Sequence, residues 1–250
     1  MANEYWLSEE NWAALEPLIP MGRRGVKPGN NRRIISGILH VLKFGCRWRD
    51  CPAMYGPHTT VYNRFNRWSK AGIWQAMFER LAQFDKSAVQ LIDSTTSKAH
   101  RCSAGGKGGA ESQAIGRSRG GRSTKIHAVA DTLGRLIAFE LTPGQQGDVR
   151  VAAALLQPLP VATCLLADTA YDADHFRAFL TERGSTPVIR PNPTRKNVPP
   201  FDPHRYKSRN VIERAFSHLK DWRRVATRYD KLARNFRSTI LLAAILIWWT

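Results

Sequence analysis

The spacing of apolar positions changes character near residue 85. Before it, apolar residues follow the helical period; after it, short apolar runs alternate with helical stretches. Ser8 is placed to N-cap a helix carrying Trp12, Leu15 and Leu18, which Pro20 stops. Met21–Asn31 reads as a basic loop. Arg32–Phe44 puts Ile34, Ile35, Ile38, Leu39 and Leu42 at helical spacing, and Gly45 ends the run. Thr59 or Thr60 can cap a helix over Val61–Ser69 with Val61, Phe65 and Trp68 on its inner face, and Gly72 divides it from Trp74–Leu81. Short helices separated by glycine-containing turns predict an all-α, helix-turn-helix-type domain over residues 1–85. Thr60, Asn63, Arg64 and Arg67 would lie on the polar face of its candidate recognition helix. A small helical bundle with a solvated basic face gives the same pattern.

Residues 86–250 predict a mixed α/β domain. Val89–Asp93, Lys125–Ala130 and Leu136–Leu141 read as strands, with Cys102–Thr124, rich in Gly, Ser and Arg, as a loop. Then come a helix Val149–Leu156, a strand Cys164–Asp168, a helix Ala173–Arg183 and a strand Pro187–Arg190. A proline-rich connection leads to one long helix over Arg205–Arg228. The order β-β-β-α-β-α-β-α is that of a mixed sheet with helices on its faces. The apolar run Ile240–Trp249 has about half of the roughly 20 residues needed to span a bilayer, so it is expected to close a core.

Charge narrows the function. The 250 residues hold 38 Lys and Arg against 20 Asp and Glu, a net charge of +18, and Arg190–Arg237 alone carries +10. Such an excess repels itself in a compact fold, and a polyanionic partner is the leading explanation. Cys46, Cys51, Cys102 and Cys164 are too few and scattered for a disulfide framework. Met1–Glu10 shows no apolar signal segment, so the expected compartment is the cytoplasm.

Three carboxylates stand where a metal site would need them. Asp93 and Asp168 each end an apolar strand, and ligands of open α/β sheets bind beyond the carboxyl ends of parallel strands. On neighbouring strands about 4.8 Å apart, both could reach one hard cation. Glu213 shares a helix face with Tyr206, Arg209 and Lys220 at 100° per residue. Each feature has a plainer reading. Asp before Ser or Thr commonly starts a turn, and Arg209–Glu213 has the spacing of a surface i,i+4 ion pair worth about 0.2–0.5 kcal/mol. Asp172 and Asp174 are expected to cap the helix that follows, Asp131 and Asp148 to sit in turns, and His100 and His127 to be structural unless they approach the acids. Lys107, Arg117, Arg119 and Arg122, and separately Trp222–Arg224, are open to DNA contact or to surface roles.

Motifs then join these residues. Tyr206-x2-Arg209-x3-Glu213-x6-Lys220 resembles the signature around the catalytic glutamate of bacterial Asp-Asp-Glu (DDE) insertion-sequence transposases. Asp93-Ser-Thr-Thr is similar to their first-aspartate segment. Gly120–His127, Asp168-Thr-Ala-Tyr171-Asp172 and the N-terminal region resemble the insertion-sequence-five family. The resemblance implies an RNase H-like catalytic domain at 86–250 with Asp93, Asp168 and Glu213 as catalytic, metal-binding triad. It implies Mg2+, with Mn2+ as substitute and two ions engaged, and DNA contacts from Tyr206, Arg209 and Lys220; on the candidate recognition helix, Asn63, Arg64 and Arg67 are placed to read bases. The implied activity is cleavage at terminal inverted repeats and strand transfer into target DNA by a homodimer or higher oligomer. A DNA-binding regulator or inactive remnant, and an RNase H-like nuclease without strand transfer, are the rival readings.

Overall fold

The change of period near residue 85 is also a change of architecture. The computed structural model describes residues 4–20, 30–82, 89–118 and 120–250. The expected basic loop at 21–29 and Arg119 lie outside them. Contacts divide the chain into two units: Met1–Gln83 with Arg101–Ser103 and Leu219–Thr250, and Phe84–His100 with Ala104–His218. Residues 219–250, expected with the catalytic domain, thus cluster with the N-terminal helices.

The helical unit begins with α1 (Glu9–Leu15), α2 (Asn31–Phe44), α3 (His58–Lys70) and α4 (Ile73–Leu81). Ser8 caps α1 as expected, its hydroxyl accepting from the Asn11 N–H at 3.1 Å. Gly45 closes α2 in the left-handed region, φ 77°, which L side chains rarely adopt. Neither Thr59 nor Thr60 caps α3. The helix starts earlier, after Pro57, so both threonines fall inside its first turn. Residues 45–57 between α2 and α3 form two 3-10 turns, longer than the connection of a tight helix-turn-helix. Gly37 of α2 lets Tyr55 close in: a Cβ there would stand 2.6 Å from that of Tyr55. Val61, Phe65, Trp74, Met77 and Phe78 are buried, each aliphatic or aromatic burial contributing about 1.5–3 kcal/mol.

The sheet unit contains β1 (Val89–Ala99), α5 (Gly109–Ser112), β2 (Gly116–Ser118), β3 (Gly121–Ala130), β4 (Leu136–Pro143), α6 (Val149–Leu156), β5 (Cys164–Ala167), α7 (Asp174–Glu182), β6 (Thr186–Ile189), α8 (Pro203–Tyr206) and α9 (Asn210–Lys220) up to His218, its last two residues falling in the helical unit. β4, β3 and β1 are antiparallel neighbours, and β5 and β6 extend the sheet from β1 in parallel. Three antiparallel strands followed by two parallel ones form the mixed sheet of an RNase H-like fold. α6 packs on β3, β4 and α7, and α7 packs on β6. Pro187 is tolerated within β6 because that strand is at the end of the strand order.

Two expected elements change. The loop over Cys102–Thr124 instead contains α5 and a hairpin, with β2 paired to the start of β3 from Gly116↔Ser123 to Ser118↔Gly121. The long helix over Arg205–Arg228 is broken: a single 3-10 turn, Lys207–Arg209, separates α8 from α9, and α10 (Arg223–Ala226) follows in the helical unit. The C-terminal run is helical, and Ile240–Ile245 are buried as expected, while residues 246–249 are half-buried. α11 (Ala233–Ala244) places Phe236, Ile240, Leu241 and Leu242 inside the helical unit and packs on α3 and α4. All four cysteines are free thiols. Among the described residues no helix is long and apolar enough to cross a membrane.

Candidate active site

The site is built where two strands part. β1 and β5 pair only from Val89↔Cys164 to Leu91↔Leu166, whereas β1 continues beside β3 to Lys98. Asp93 and Asp168 each lie two residues past the Leu91↔Leu166 pair, so they hold corresponding positions on neighbouring strands. Asp93 therefore sits mid-strand rather than at a strand end. Asp168 follows the last residue of β5 and also shapes the next turn, its carboxylate accepting from the Ala170 N–H at 2.9 Å. The turn reading of Asp168 is borne out by this bond.

Glu213 enters from the first turn of α9. It does not meet the two aspartates directly in the contacts present; Arg209 joins all three. The Arg209 Nη2 donates to Asp93 Oδ2 at 2.7 Å and lies 3.9 Å from Asp168 Oδ2, while Nη1 donates to Glu213 Oε1 at 2.8 Å. The Arg209–Glu213 pair is thus linked to Asp93 and Asp168 and is not an isolated surface pair. The Arg209 Nε is buried with no partner, a cost of about 1–3 kcal/mol that argues against a purely stabilising role. The Tyr206 ring centroid lies 5.9 Å from the guanidinium and packs edge-on against Phe201. Tyr206 supports Arg209 in this arrangement.

Exposure grades the three acids. The side chain of Asp93 is 11% exposed, that of Asp168 31% and that of Glu213 55%. Burial pushes the Asp93 carboxyl above the ordinary carboxylate range, and the Arg209 guanidinium beside it offsets only part of that. Hard oxygen donors gathered around one cationic group suit a divalent ion such as Mg2+ or Mn2+. Among the described residues, however, no three His, Cys, Asp or Glu lie close enough to hold an ion together, and Arg209 stands among the carboxylates. The donor chemistry of the three acids suits a metal, while in this arrangement their oxygens are engaged by Arg209.

Other expected residues take other places. In the β1–β3 register Ser94 faces His127 while Asp93 faces Ala128, so alternation puts His127 on the opposite sheet face from Asp93. Its Nε2 pairs with the Thr142 hydroxyl at 2.8 Å, and burial lowers its pKa to about 4. Asp172 does not cap α7. Its buried carboxylate accepts from Arg177 Nε and from the Asn192 N–H, both at 2.7 Å, tying α7 to the chain after β6. Asp174 pairs with Arg195. Asp131 folds the β3–β4 turn, accepting from the Leu133 and Arg135 N–H groups, and Asp148 pairs with Lys125 at 3.0 Å.

Sequence reasoning assigned Tyr171 no part beyond the motif that follows Asp168. It is buried three residues after Asp168, and its hydroxyl has no partner. Burial, with Asp148, Asp93 and Asp168 adding to it, drives its pKa well up. A tyrosine so close behind a strand-end aspartate was the available signal.

On α3, Asn63 and Arg67 are exposed, as are Thr60 and Tyr62. Arg64 differs: it donates to the Asn31 side chain at 2.6 Å and lies over the Trp68 ring. Arg224, read as a possible DNA contact, is buried beside the Trp48 and Tyr229 rings and donates to the Cys46 carbonyl. Lys220 ends α9 half-buried, on the same helix face as Glu213, and burial lowers its pKa.

Comparison with known proteins decides the family. The model described as "Transposase DDE domain" matches residues 85–248, and that described as "Putative transposase of IS4/5 family" matches residues 7–78. The chain belongs to the DDE transposases. This transposase is 42% identical over 127 residues to the Brucella ovis "Putative transposase for insertion sequence element IS6501", covering 50% of the present chain and 98% of that one. It is 39% identical over 93 residues to an "Insertion element IS402 uncharacterized 16.2 kDa protein" of Burkholderia cepacia, covering 34% and 63%. Among solved structures it is similar to piggyBac transposase in a synaptic complex with hairpin DNA, with TM-score 0.42 and 12% identity over 74% of this chain and 48% of that one. It is also similar to a Mos1 mariner paired-end complex with Mn, with TM-score 0.32 and 13% identity over 94% and 83%. DDE transposases generally use divalent metal ions, in keeping with the oxygen donors of Asp93, Asp168 and Glu213.

Proposed function

We propose that this transposase binds the terminal inverted repeats of its own element, cuts the DNA at their ends and joins the freed 3′-hydroxyls to target DNA. The observation that carries this reading is the convergence of Asp93, Asp168 and Glu213 on one cationic group where β1 and β5 part. Two divalent ions at these acids, Mg2+ or Mn2+ in its place, would neutralise charge on the phosphate and activate the attacking oxygen.

The chain's own residues divide the remaining work. Asp93, nearly buried on a strand paired along its length with β3, gives the site a fixed wall. Glu213, exposed on α9 next to a 3-10 turn, is the acid best able to follow a substrate. Arg209 and Lys220 offer positive charge to the phosphates flanking the scissile bond, with Tyr206 beside Arg209. The helical unit supplies end recognition through Asn63, Arg64 and Arg67, and bringing two ends together calls for at least a homodimer.

The test is incubation of the purified chain with duplex DNA carrying the element's end. The proposal expects divalent-ion-dependent release of a 3′-hydroxyl and joining of a pre-cut end to plasmid. Cleavage without joining would mark a nuclease, and binding without cleavage a regulator or inactive remnant.

A further inference from the structure

A guanidinium that bonds Asp93 and Glu213 and approaches Asp168 takes up the carboxylate oxygens that a metal ion would use. The two cations cannot share those oxygens without strong repulsion at contact distance. We propose that Arg209 is a built-in surrogate for the metal, which gives up the carboxylates when DNA supplies a phosphate in their stead, so that metal and DNA binding are coupled through this one side chain. The proposal rests on the reading that the three acids hold the metal.

Three features fit Arg209 for the exchange. Its planar fork of donors matches carboxylate and phosphate alike, so transfer strands no donor. It is the last residue of the 3-10 turn Lys207–Arg209 between α8 and α9, and such a turn inside a helical stretch often marks a hinge. Its Nε has no partner where it stands, so the bonded arrangement leaves one donor that a phosphate can satisfy. Without Arg209 the acids would face one another with no positive charge between them in the metal-free protein. Lys207, exposed on the same turn, adds charge that favours a phosphate over solvent.

Mn2+ binding to the full chain tests this, read by the electron paramagnetic resonance of free Mn2+ with and without a mixed-sequence DNA duplex, after correction for Mn2+ bound by the duplex alone. In the wild type the duplex should tighten Mn2+ binding by about tenfold, within the usual range of coupling between sites. Arg209→Gln and Arg209→Ala should bind Mn2+ about tenfold more tightly than wild type without DNA and lose most of the response to DNA. Thermal melting confirms that the variant used is folded. A wild type that binds Mn2+ equally with and without duplex, or an Arg209→Gln protein no tighter than wild type, overturns the surrogate role. Asp93→Asn separates the two levels of the argument. If it binds Mn2+ as well as wild type does, the acids do not hold the ion and the functional reading fails as well. If it loses binding while Arg209→Gln is unchanged, only the surrogate role falls.

Discussion

Arg209 donates a 2.7 Å hydrogen bond to Asp93 across 116 positions of sequence. That bond joins the turn before α9 to the middle of β1, and through the same guanidinium the chain gathers its three candidate catalytic acids.

The placement of Asp93 carries a cost in stability. Burial raises its pKa above the unfolded value of 3.8, so the folded protein holds that proton more readily than the unfolded chain. Its contribution therefore favours folding most at acid pH and is lost as pH rises through the folded pKa. Asp93→Asn should melt at a higher temperature than wild type at neutral pH, with the difference shrinking as pH falls through the folded pKa and gone below the unfolded value of 3.8. Calorimetry across pH 3–8 checks this; a lower melting temperature for the variant at neutral pH would show that the Arg209 pair outweighs desolvation.

His127 should act in the opposite sense. Its pKa is lowered to about 4 by burial, so below the unfolded value of 6.5 the unfolded chain binds the proton first. Stability should fall as pH drops from 6.5 towards 4, by on the order of 3 kcal/mol from this residue. His127→Gln should flatten that limb of the pH–stability curve. An unchanged limb would assign it to other groups.

Asp172 is expected to matter for stability rather than chemistry. Its buried carboxylate is shared by Arg177 and the Asn192 N–H, and breaking such a pair costs about 3–5 kcal/mol. Asp172→Ala should lower the urea midpoint markedly, while Asp172→Asn cleaves at a substantial fraction of the wild-type rate per folded molecule. Loss of cleavage by well-folded Asp172→Asn would place the residue in the site.

How much could be read beforehand depended on which physical signal each element leaves. Strands β3, β4 and β5 announced themselves through runs such as Cys164–Ala167, buried throughout. The second half of β1, Ser94–Ala99, did not, because it is polar and held by pairing with β3 rather than by apolar alternation. The β2–β3 hairpin was hidden for the same reason, in a stretch of Gly, Ser and Arg. The break at Lys207–Arg209 leaves no proline or glycine as a marker. The neighbouring positions of Asp93 and Asp168 and the Arg209–Glu213 pair were legible from strand pattern and i,i+4 spacing. That Arg209 faces the acids is a tertiary fact no local pattern encodes.

On α3 the structure separates residues that the sequence grouped. Asn63 and Arg67 are exposed, whereas Arg64 is tied to Asn31 and Trp68. Asn63→Ala and Arg67→Ala should each reduce preference for end DNA over random duplex by about 1–3 kcal/mol. Arg64→Ala should lower the melting temperature as well. Competition binding gives the first quantity, and equal discrimination by all three variants and wild type would move recognition elsewhere.

The claim on which the account turns is that Asp93, Asp168 and Glu213 act together in metal-dependent cutting. The most direct measurement is single-turnover cleavage of end DNA in Mg2+ and in Mn2+ by wild type, Asp93→Asn, Asp168→Asn and Glu213→Gln, with DNA affinity measured in parallel. The account predicts that each substitution abolishes cleavage with either ion while binding persists. Cleavage near the wild-type rate by any one of the three would remove that residue from the site and contradict the assignment.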